Sequence, residues 1–188
     1  MLRRPASSNP ATINTPNSTL LSSSQAVTVS VLDLNDNTAV ISSGTTGTVN
    51  ENAVTTTVIY TAVATDADGT SAHNSLTYSL TGADADLLTI NATTGEVRLK
   101  NAADYESKAS YSFTVVASDG TLSSNQDVVV SVIDLNDNTA VISSGATGTV
   151  NENADTTTVI YTAAATDADG TSAHNTLSYS LTGTDADL

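Results

Sequence analysis

The sequence lacks several residue types on which common classes of protein depend. It has no cysteine and no tryptophan, and only five of its 188 residues are basic. Without cysteine, no disulfide can brace the chain in any compartment. Twenty acidic residues give a formal net charge of -15. An acidic excess of this size repels phosphate backbones, so no nucleic acid partner is expected, and a cation is the ligand that the charge favours.

Long apolar runs are also missing. No window reaches the roughly 18 apolar residues of a membrane span, so no direct membrane insertion by this chain is expected. The first residues, MLRR, resemble the charged start of a signal peptide, but residues 5–19 supply no apolar segment after it. If the protein is exported, we expect the export signal and any anchor to lie outside this chain.

The sequence does contain a regular internal repeat. Hydrophobic residues make up 39% of the chain, which is too high for a disordered acidic tail. Residues 33–87 align with residues 134–188 without a gap, at an offset of 101, and only six pairs differ. The segment SSSQAVTVSV at 22–31 also resembles SSNQDVVVSV at 123–132. Self-similarity at a fixed period predicts a tandem array.

The repeat divides the chain into four expected parts. Residues 1–19 match no part of the repeat, and we expect a disordered lead-in there. Residues 20–37 correspond to the last strand and linker of a preceding repeat, and residues 38–138 form one complete repeat. Residues 139–188 correspond to the N-terminal half of the next repeat. Because half a sandwich exposes unpaired strand edges, the folding of this last part on its own stays open.

Period-2 alternation and β-branched residues predict seven strands in the complete repeat. They are expected at residues 47–50, 56–65, 76–81, 87–90, 96–99, 110–118 and 126–133. This spacing predicts an all-β fold, an immunoglobulin-like seven-stranded Greek-key β-sandwich repeated in tandem. Gly95 and Gly120 follow Thr94 and Asp119 and are expected to supply positive φ in turns. The alternation also predicts an inward-facing set: Tyr111, Phe113, Val115, Ala117, Val128, Val130 and Val132.

Thirteen of the twenty acidic residues lie in five short motifs, which are NEN, TDADG, DYE, SDG and DLNDN. Their ligand atoms are all oxygens, which hard Ca²⁺ prefers in shells of about six to eight. In an extended segment, Asp66 and Asp68 project to the same side and can bind one ion. Two carboxylates about 4 Å apart repel by roughly 1 kcal/mol in water and about 4 kcal/mol at an effective dielectric of 20. A bound divalent ion reverses that repulsion, so the motifs predict calcium binding coupled to shape.

In this order, the five motifs resemble the cadherin repeat. The residues within the motifs are most similar to those of the tandem cadherin-like repeats of large bacterial surface adhesins. The resemblance covers residues 20–188. It implies Ca²⁺ at the junctions between successive repeats, where the ions would stiffen a tandem array. The implied protein is an extracellular or cell-surface adhesion protein without enzymatic activity. Its implied partners are the adjacent repeats of the same chain, joined through Ca²⁺.

The resemblance also assigns ligands to the second junction, between residues 38–138 and 139–188. The complete repeat would contribute Glu51, Asp104 and Glu106. The following repeat would contribute Asp167 and Asp169. The linker would contribute Asp134, the Leu135 carbonyl, Asn136, Asp137 and the Asn138 carbonyl.

The first junction precedes the complete repeat and has fewer implied ligands. The linker residues are Asp33, Asn35, Asp36 and Asn37, and the facing residues are Asp66, Asp68 and Asp119. The family pattern implies one well-supplied site there, formed by Asn35, Asn37, Asp66, Asp68 and Asp119. Glu152 would serve a third junction. In place of the family's proline and aromatic, Thr38-Ala39-Val40 follows the first DLNDN, so the linker is expected to be less stiff.

Two other readings of the sequence lead elsewhere. The repeat could itself mediate homophilic or glycan-directed adhesion at a cell surface, although the strand exchange that relies on an anchoring tryptophan is unsupported here. An enzyme is the other reading, but the sequence offers no nucleophile motif. The duplicated His73 and His174 could suggest a catalytic or metal site, and they are interpreted as plain surface residues. The DADL segments at 84–87 and 185–188 are interpreted as solvated charge.

Overall fold

A computed structural model describes residues 23–186 of the chain, so the lead-in predicted at 1–19 lies outside the described residues. The chain divides into two units, Met1–Leu32 and Asp33–Leu188. In the first unit, residues 23–32 have no regular secondary structure, and the side chains of Val27, Val29 and Val31 are exposed. The strand expected there is not formed, because a strand is stable only beside a hydrogen-bonded neighbour.

The regular secondary structure of the second unit is nearly all β-strand. The strands of the complete repeat are β1 (Val40–Ile41), β2 (Thr46–Asn50), β3 (Tyr60–Thr61), β4 (Ala64–Thr65), β5 (Thr77–Thr81), β6 (Leu88–Ile90), β7 (Glu96–Leu99), β8 (Ser110–Ser118) and β9 (Ser123–Ile133). A short helix, α1 (Ser71–Asn74), and one 3₁₀ turn (Ala85–Leu87) interrupt them. Two further strands follow the second linker, β10 (Val141–Ile142) and β11 (Ala165–Thr166).

Two sheets face each other in the complete repeat. One has the strand order β2-β9-β8-β5 and the other has the order β3-β7-β6. In the larger sheet, β2 comes first in the sequence and β9 comes last. These two strands are neighbours and run parallel, with Val49 opposite Val132. The other pairings are antiparallel. This arrangement confirms the predicted immunoglobulin-like β-sandwich.

The core lies between the two sheets and follows the predicted alternation. All seven residues expected to face inward, on β8 and β9, are at most 7% exposed. Tyr60 of β3 and Phe113 of β8 connect the sheets through an edge-to-face contact, with ring centroids 5.9 Å apart and planes at 78°. Such aromatic pairs add about 0.5–1.5 kcal/mol beyond the area that they bury.

The prediction of one continuous strand at 56–65 is wrong. The chain pairs first with β7 as β3 and then, three residues later, with β1 as β4. The sequence misses β1 for the same reason. Alternation records which side chains are buried, but it does not record which neighbouring strand accepts the backbone hydrogen bonds, so a strand that changes partner looks continuous.

The predicted glycine turns are confirmed, since φ is +71° at Gly95 and +99° at Gly120. The sequence did not predict the positive φ of Asn52, 58°, or of its counterpart Asn153, 63°. Asparagine tolerates this left-handed region better than most residues. At Asn52 the conformation turns the chain directly after Glu51 of the NEN motif.

Residues 139–186 have nearly the same sequence as the start of the complete repeat but bury far less of it. Within that range the structure forms only the β10–β11 pair. Val150, Ile160, Tyr161 and Leu181 are exposed and line an open groove of about 430 Å³. Their counterparts in the complete repeat are covered by β8 and β9, which have no equivalent in residues 139–186. Burial here is therefore decided by the covering strands and not by local sequence.

Candidate metal centres at the two junctions

The first acidic cluster lies where two strands end. Asp66 directly follows β4, and Asp119 directly follows β8, so the fold brings both to the same edge of the complete repeat. Asp66, Asp68 and Asp119 each present a carboxylate oxygen, and these three oxygens lie within 4.8 Å of one another. Like charges at that spacing repel strongly unless a cation lies between them.

Four oxygens in this cluster are buried without a hydrogen-bond partner. They are Oδ1 of Asn35 and the Oδ2 atoms of Asp66, Asp68 and Asp119. The other oxygens of the carboxylates are anchored. Oδ1 of Asp119 accepts hydrogen bonds from the backbone N–H groups of Thr121 and Leu122, at 2.7 and 2.8 Å. Each anchored carboxylate therefore leaves one oxygen without a hydrogen-bond partner. A buried oxygen of this kind destabilises the fold, and a hard cation would satisfy it.

The remaining ligand predicted for this site, Asn37, contributes in a different way. Its backbone N–H and its Nδ2 both donate to Oδ1 of Asp68, at 3.3 and 2.6 Å. These bonds hold the linker against the TDADG loop and orient the other oxygen of Asp68 into the cluster.

The second acidic cluster joins the complete repeat to the linker after it. Glu51, Glu106 and Asp134 present carboxylate oxygens within 4.8 Å of one another. Glu51 is only 2% exposed, and its two oxygens accept backbone hydrogen bonds from Leu135, at 2.5 Å, and from Tyr105, at 2.9 Å. A buried glutamate thus connects the DYE motif and the DLNDN motif.

A third carboxylate group repeats the geometry of the first junction. Oδ1 of Asp169 accepts hydrogen bonds from the backbone N–H of Asn138, at 3.1 Å, and from its Nδ2, at 3.0 Å. Asp167 accepts a bond from the backbone N–H of Asp169, at 3.1 Å. Oδ2 of Asp169 is buried without a partner, as in Asp68. The equivalent residues therefore adopt the same arrangement in both copies of the motif.

Hydrogen bonds lower the pKa values of some of these carboxyl groups, whereas burial and neighbouring carboxylates raise the pKa of another. The hydroxyl of Thr70, with the ring of His73, lowers the pKa of Asp33 to about 2. Backbone donors from Leu122 and Thr121 lower the pKa of Asp119. Desolvation, aided by the charges of Glu51 and Asp134, raises the pKa of Glu106. The second cluster is thus short of positive charge in the protein alone.

Several predicted ligands lie outside both 4.8 Å clusters. Asp104 accepts bonds from the N–H and hydroxyl of Ser107. Asp137 accepts a bond from Nδ2 of the left-handed Asn52. The other exposed members are Asp36, Asn136 and Glu152, and Leu135 is also exposed, with its backbone N–H bound to Glu51.

The interpretation of the two histidines as plain surface residues is wrong. Nδ1 of His73 lies 2.8 Å from Oδ2 of Asp33, and Nδ1 of His174 lies 2.8 Å from Oδ2 of Asp134. In both copies the histidine follows the first aspartate of DLNDN by 40 residues. That constant spacing was the signal available in the sequence, although only the fold shows that the loop returns to the linker.

The interpretation of Asp84 as solvated charge is also wrong. Its Oδ1 lies 2.9 Å from Nζ of Lys108, and its Oδ2 accepts a hydrogen bond of 2.7 Å from the backbone N–H of Ser112. Its side chain is 13% exposed. Asp86 and Asp185 are exposed as expected, and Asp187 lies outside the described residues.

The donor set at both junctions fits calcium, since it consists of carboxylate and amide oxygens, several of them buried and unsatisfied.

Within residues 23–186, the structure contains no helix that is long and apolar enough to cross a bilayer.

Comparison with known proteins gives consistent matches. The Cadherin domain family model matches residues 45–133. Protocadherin Fat 4 of Mus musculus is 37% identical over 132 residues, which are 68% of this chain and 3% of that protein. The crystal structure of mouse cadherin-23 EC22-24 superposes with a TM-score of 0.72 at 30% identity, covering 82% of this chain and 51% of that one. A protocadherin gammaB7 EC3-6 cis-dimer structure superposes with a TM-score of 0.69 at 27% identity, covering 77% of this chain and 38% of that one. The chain therefore spans only a small part of the curated relative.

Proposed function

Because this chain belongs to the cadherin family, we propose that it is a calcium-binding structural repeat of an extracellular cell-adhesion protein. The observation that carries the proposal is the set of four buried oxygens without hydrogen-bond partners at the first junction, on Asn35, Asp66, Asp68 and Asp119. These side chains come from a linker and from two loops of the next repeat. One cation shared among them would join the linker to that repeat.

The residues divide into those that would hold an ion and those that orient them. At the first junction Asn35, Asp66, Asp68 and Asp119 would hold it, and Asn37 orients Asp68. Bound Ca²⁺ would supply positive charge that cancels the repulsion between these carboxylates. The second junction would be held by Glu51, Glu106 and Asp134. The remaining assignments from the family pattern stay proposals, namely Asp33, Asp36, Asp104, Leu135, Asn136, Asp137, Asn138, Glu152, Asp167 and Asp169.

The proposed function assigns partners and a location to the chain. Its partners are the adjacent repeats of the same protein, joined through Ca²⁺. Extracellular calcium modules bind with dissociation constants of about 10⁻⁴ to 10⁻³ M, so such sites fill outside cells and empty in the cytoplasm. A stiffened array is therefore expected at the cell surface, and no catalytic step is assigned to it.

The Asp119→Asn substitution tests the first-junction site directly. Asparagine keeps an Oδ1 that can accept the hydrogen bonds of Thr121 and Leu122, but it removes the charge. We expect calcium affinity at this site to fall by at least about tenfold, because affinity follows the ligand charge. Isothermal titration calorimetry of the whole chain measures this loss.

Asp127→Asn is the matched control for this titration. It also removes one aspartate charge, but Asp127 is exposed on β9, where its carboxylate accepts a hydrogen bond from the hydroxyl of Thr114 and lies in neither acidic cluster. It should leave the calcium isotherm unchanged. Equal effects of the two substitutions would show that the isotherm reports overall charge and would contradict the assigned site.

A second candidate function is association between copies of this repeat, since one structural neighbour was solved as a cis-dimer. The experiment is sedimentation velocity of the whole chain over a range of concentrations, in calcium and in chelator. Homophilic adhesion predicts a sedimentation coefficient that rises with concentration in calcium only. A coefficient independent of concentration in both solutions would contradict it.

A further inference from the structure

We propose that residues 25–32 of one copy of this chain bind as a strand in the open groove of a second copy, along residues 147–151. Residues 25–32 correspond to residues 126–133 of β9, and residues 147–151 correspond to β2. In the complete repeat β2 and β9 are hydrogen-bonded neighbours, so one molecule already shows the contacts that the two copies make. The proposal uses no residue assigned to a calcium site.

The segment at 25–32 keeps the apolar pattern of β9 but does not bury it. The three inward-facing valines of β9 are at most 5% exposed, whereas their counterparts Val27, Val29 and Val31 are 76–93% exposed. The segment contains no charged residue, although the chain has a net charge of -15. It therefore approaches another acidic copy without bringing a carboxylate into the contact. A strand with free backbone groups and an apolar face is a template for pairing with another chain.

The receiving strand is uncovered in the same way. Val49 of β2 is 5% exposed beside β9, but its counterpart Val150 is 54% exposed. A Cβ added to Gly47 would lie 3.2 Å from Cγ2 of Val130 on β9. The three atoms nearest to a Cβ on Gly148 instead belong to residues that line the groove. Within residues 139–186, the place that corresponds to the β9 valine is therefore open to solvent.

A polar clasp in the complete repeat fixes the position of β9 along β2. Nε2 of Gln126 donates hydrogen bonds to the backbone carbonyls of Ser43 and Gly44, at 2.7 and 2.9 Å, and to the Tyr60 hydroxyl, at 3.1 Å. The Tyr60 hydroxyl also lies 2.8 Å from Oγ of Ser43. One glutamine side chain thus connects β9 to the loop that precedes β2.

The groove contains the acceptors of this clasp, and the segment at 25–32 contains its donor. The Tyr161 hydroxyl lies 2.6 Å from Oγ of Ser144, so the counterparts of Tyr60 and Ser43 are already together. Gln25 is the counterpart of the donating glutamine. The segment and the groove therefore match in a polar contact as well as in their apolar faces, and this match identifies the occupant of the groove.

The pairing of β2 with β9 also fixes the register of the bound strand. The two strands run parallel and pair at five positions. The same register places Val29 opposite Gly148 and Val31 opposite Val150. A slip of one residue would turn both valines out to solvent, because side chains alternate between the two faces of a strand.

The resulting assembly is head-to-tail. A copy that binds through its strand keeps its own groove open, so the contact is heterologous and further copies can add. The bound strand corresponds to β9 alone, whereas β8 and β9 together cover the core of the complete repeat. The groove is therefore only partly covered, the association is weak, and the copies separate on dilution.

Sedimentation equilibrium of the whole chain in calcium tests this assembly. The weight-average mass of the wild type should rise with concentration to at least about twice the monomer value, because addition continues beyond a dimer. Val29→Asp places a charge on the side of the strand that faces the groove, and Val150→Asp places one in the groove. Each variant alone should stay monomeric. Both valines are exposed in the free chain, so neither substitution should change the melting curve measured by circular dichroism in dilute solution.

An equimolar mixture of the two variants gives a result specific to strand exchange. Val150→Asp keeps an intact strand, and Val29→Asp keeps an intact groove. The mixture should therefore form one-to-one dimers that do not grow further. A mixture that stays monomeric would overturn the proposal.

Thr28→Asp is the matched control. It adds the same charge to the same segment, but on the face that points away from the groove, since its counterpart Val129 is 42% exposed on β9. It should associate like the wild type. A wild-type mass that does not change with concentration would overturn the proposal. So would association that survives Val29→Asp, or an equal loss in Thr28→Asp, because another surface or the overall charge would then be responsible.

Discussion

Calcium at about 10 mM is expected to stabilise the chain by about 2.7 kcal/mol for each site with a dissociation constant of about 10⁻⁴ M. The physical reason lies in the folded state, where Asp66, Asp68 and Asp119 present oxygens within 4.8 Å of one another. The unfolded chain has no such grouping, so the ion binds the folded form preferentially. For a repeat of this size, the melting temperature should rise by about 10–20 °C for each such site.

Thermal unfolding followed by circular dichroism, with chelator and with calcium, measures this effect. Sodium chloride at matched ionic strength is the control, because salt alone screens the charge of -15 without entering the cluster. A rise reproduced by sodium chloride would show screening and not binding. Identical melting curves in calcium and chelator would contradict the proposed function.

Ile59→Ala is expected to cost about 2–5 kcal/mol of unfolding free energy, the range for truncating a buried isoleucine. Ile59 is 5% exposed and lies in the core that joins the two sheets. Its counterpart Ile160 is 59% exposed, although the surrounding sequence is nearly identical. Ile160→Ala should therefore change the unfolding free energy by no more than about 0.5 kcal/mol.

Urea unfolding of the whole chain measures both variants under the same conditions. The pair is informative because local propensity and chemistry are matched, and only the covering strands differ. If Ile160→Ala costs as much as Ile59→Ala, residues 139–186 bury their apolar face in solution, and the exposure described above is wrong.

The sequence predicted the long strands and much of the acidic clustering for clear physical reasons. In β8 and in the second half of β9, an apolar residue at every second position identifies the buried face without knowledge of the partner strand. Asp66, Asp68 and Asp119 were predicted together because their motifs resemble a known family. Composition alone would not have joined residues 53 positions apart.

The features that the sequence did not predict all depend on distant contacts. Asp84 looks like solvated charge until the fold places Lys108 beside it. His73 looks like a surface residue until its loop returns to Asp33. The segment at 56–65 looks like one strand because alternation continues while the hydrogen-bonded neighbour changes. Local patterns record burial, and they do not record which partner causes it.

The parallel pairing of β2 with β9 has a mechanical consequence for the repeat. Five residue pairs, from Thr46 with Val129 to Asn50 with Ile133, connect the first strand of the large sheet to the last. Tension applied by the neighbouring modules would pull the N-terminal end of β2 and the C-terminal end of β9 in opposite directions. Because the two strands point the same way, this force loads all five pairs in shear at once and does not peel them apart one by one. A tether built from such modules would resist extension until the whole pair gives way together.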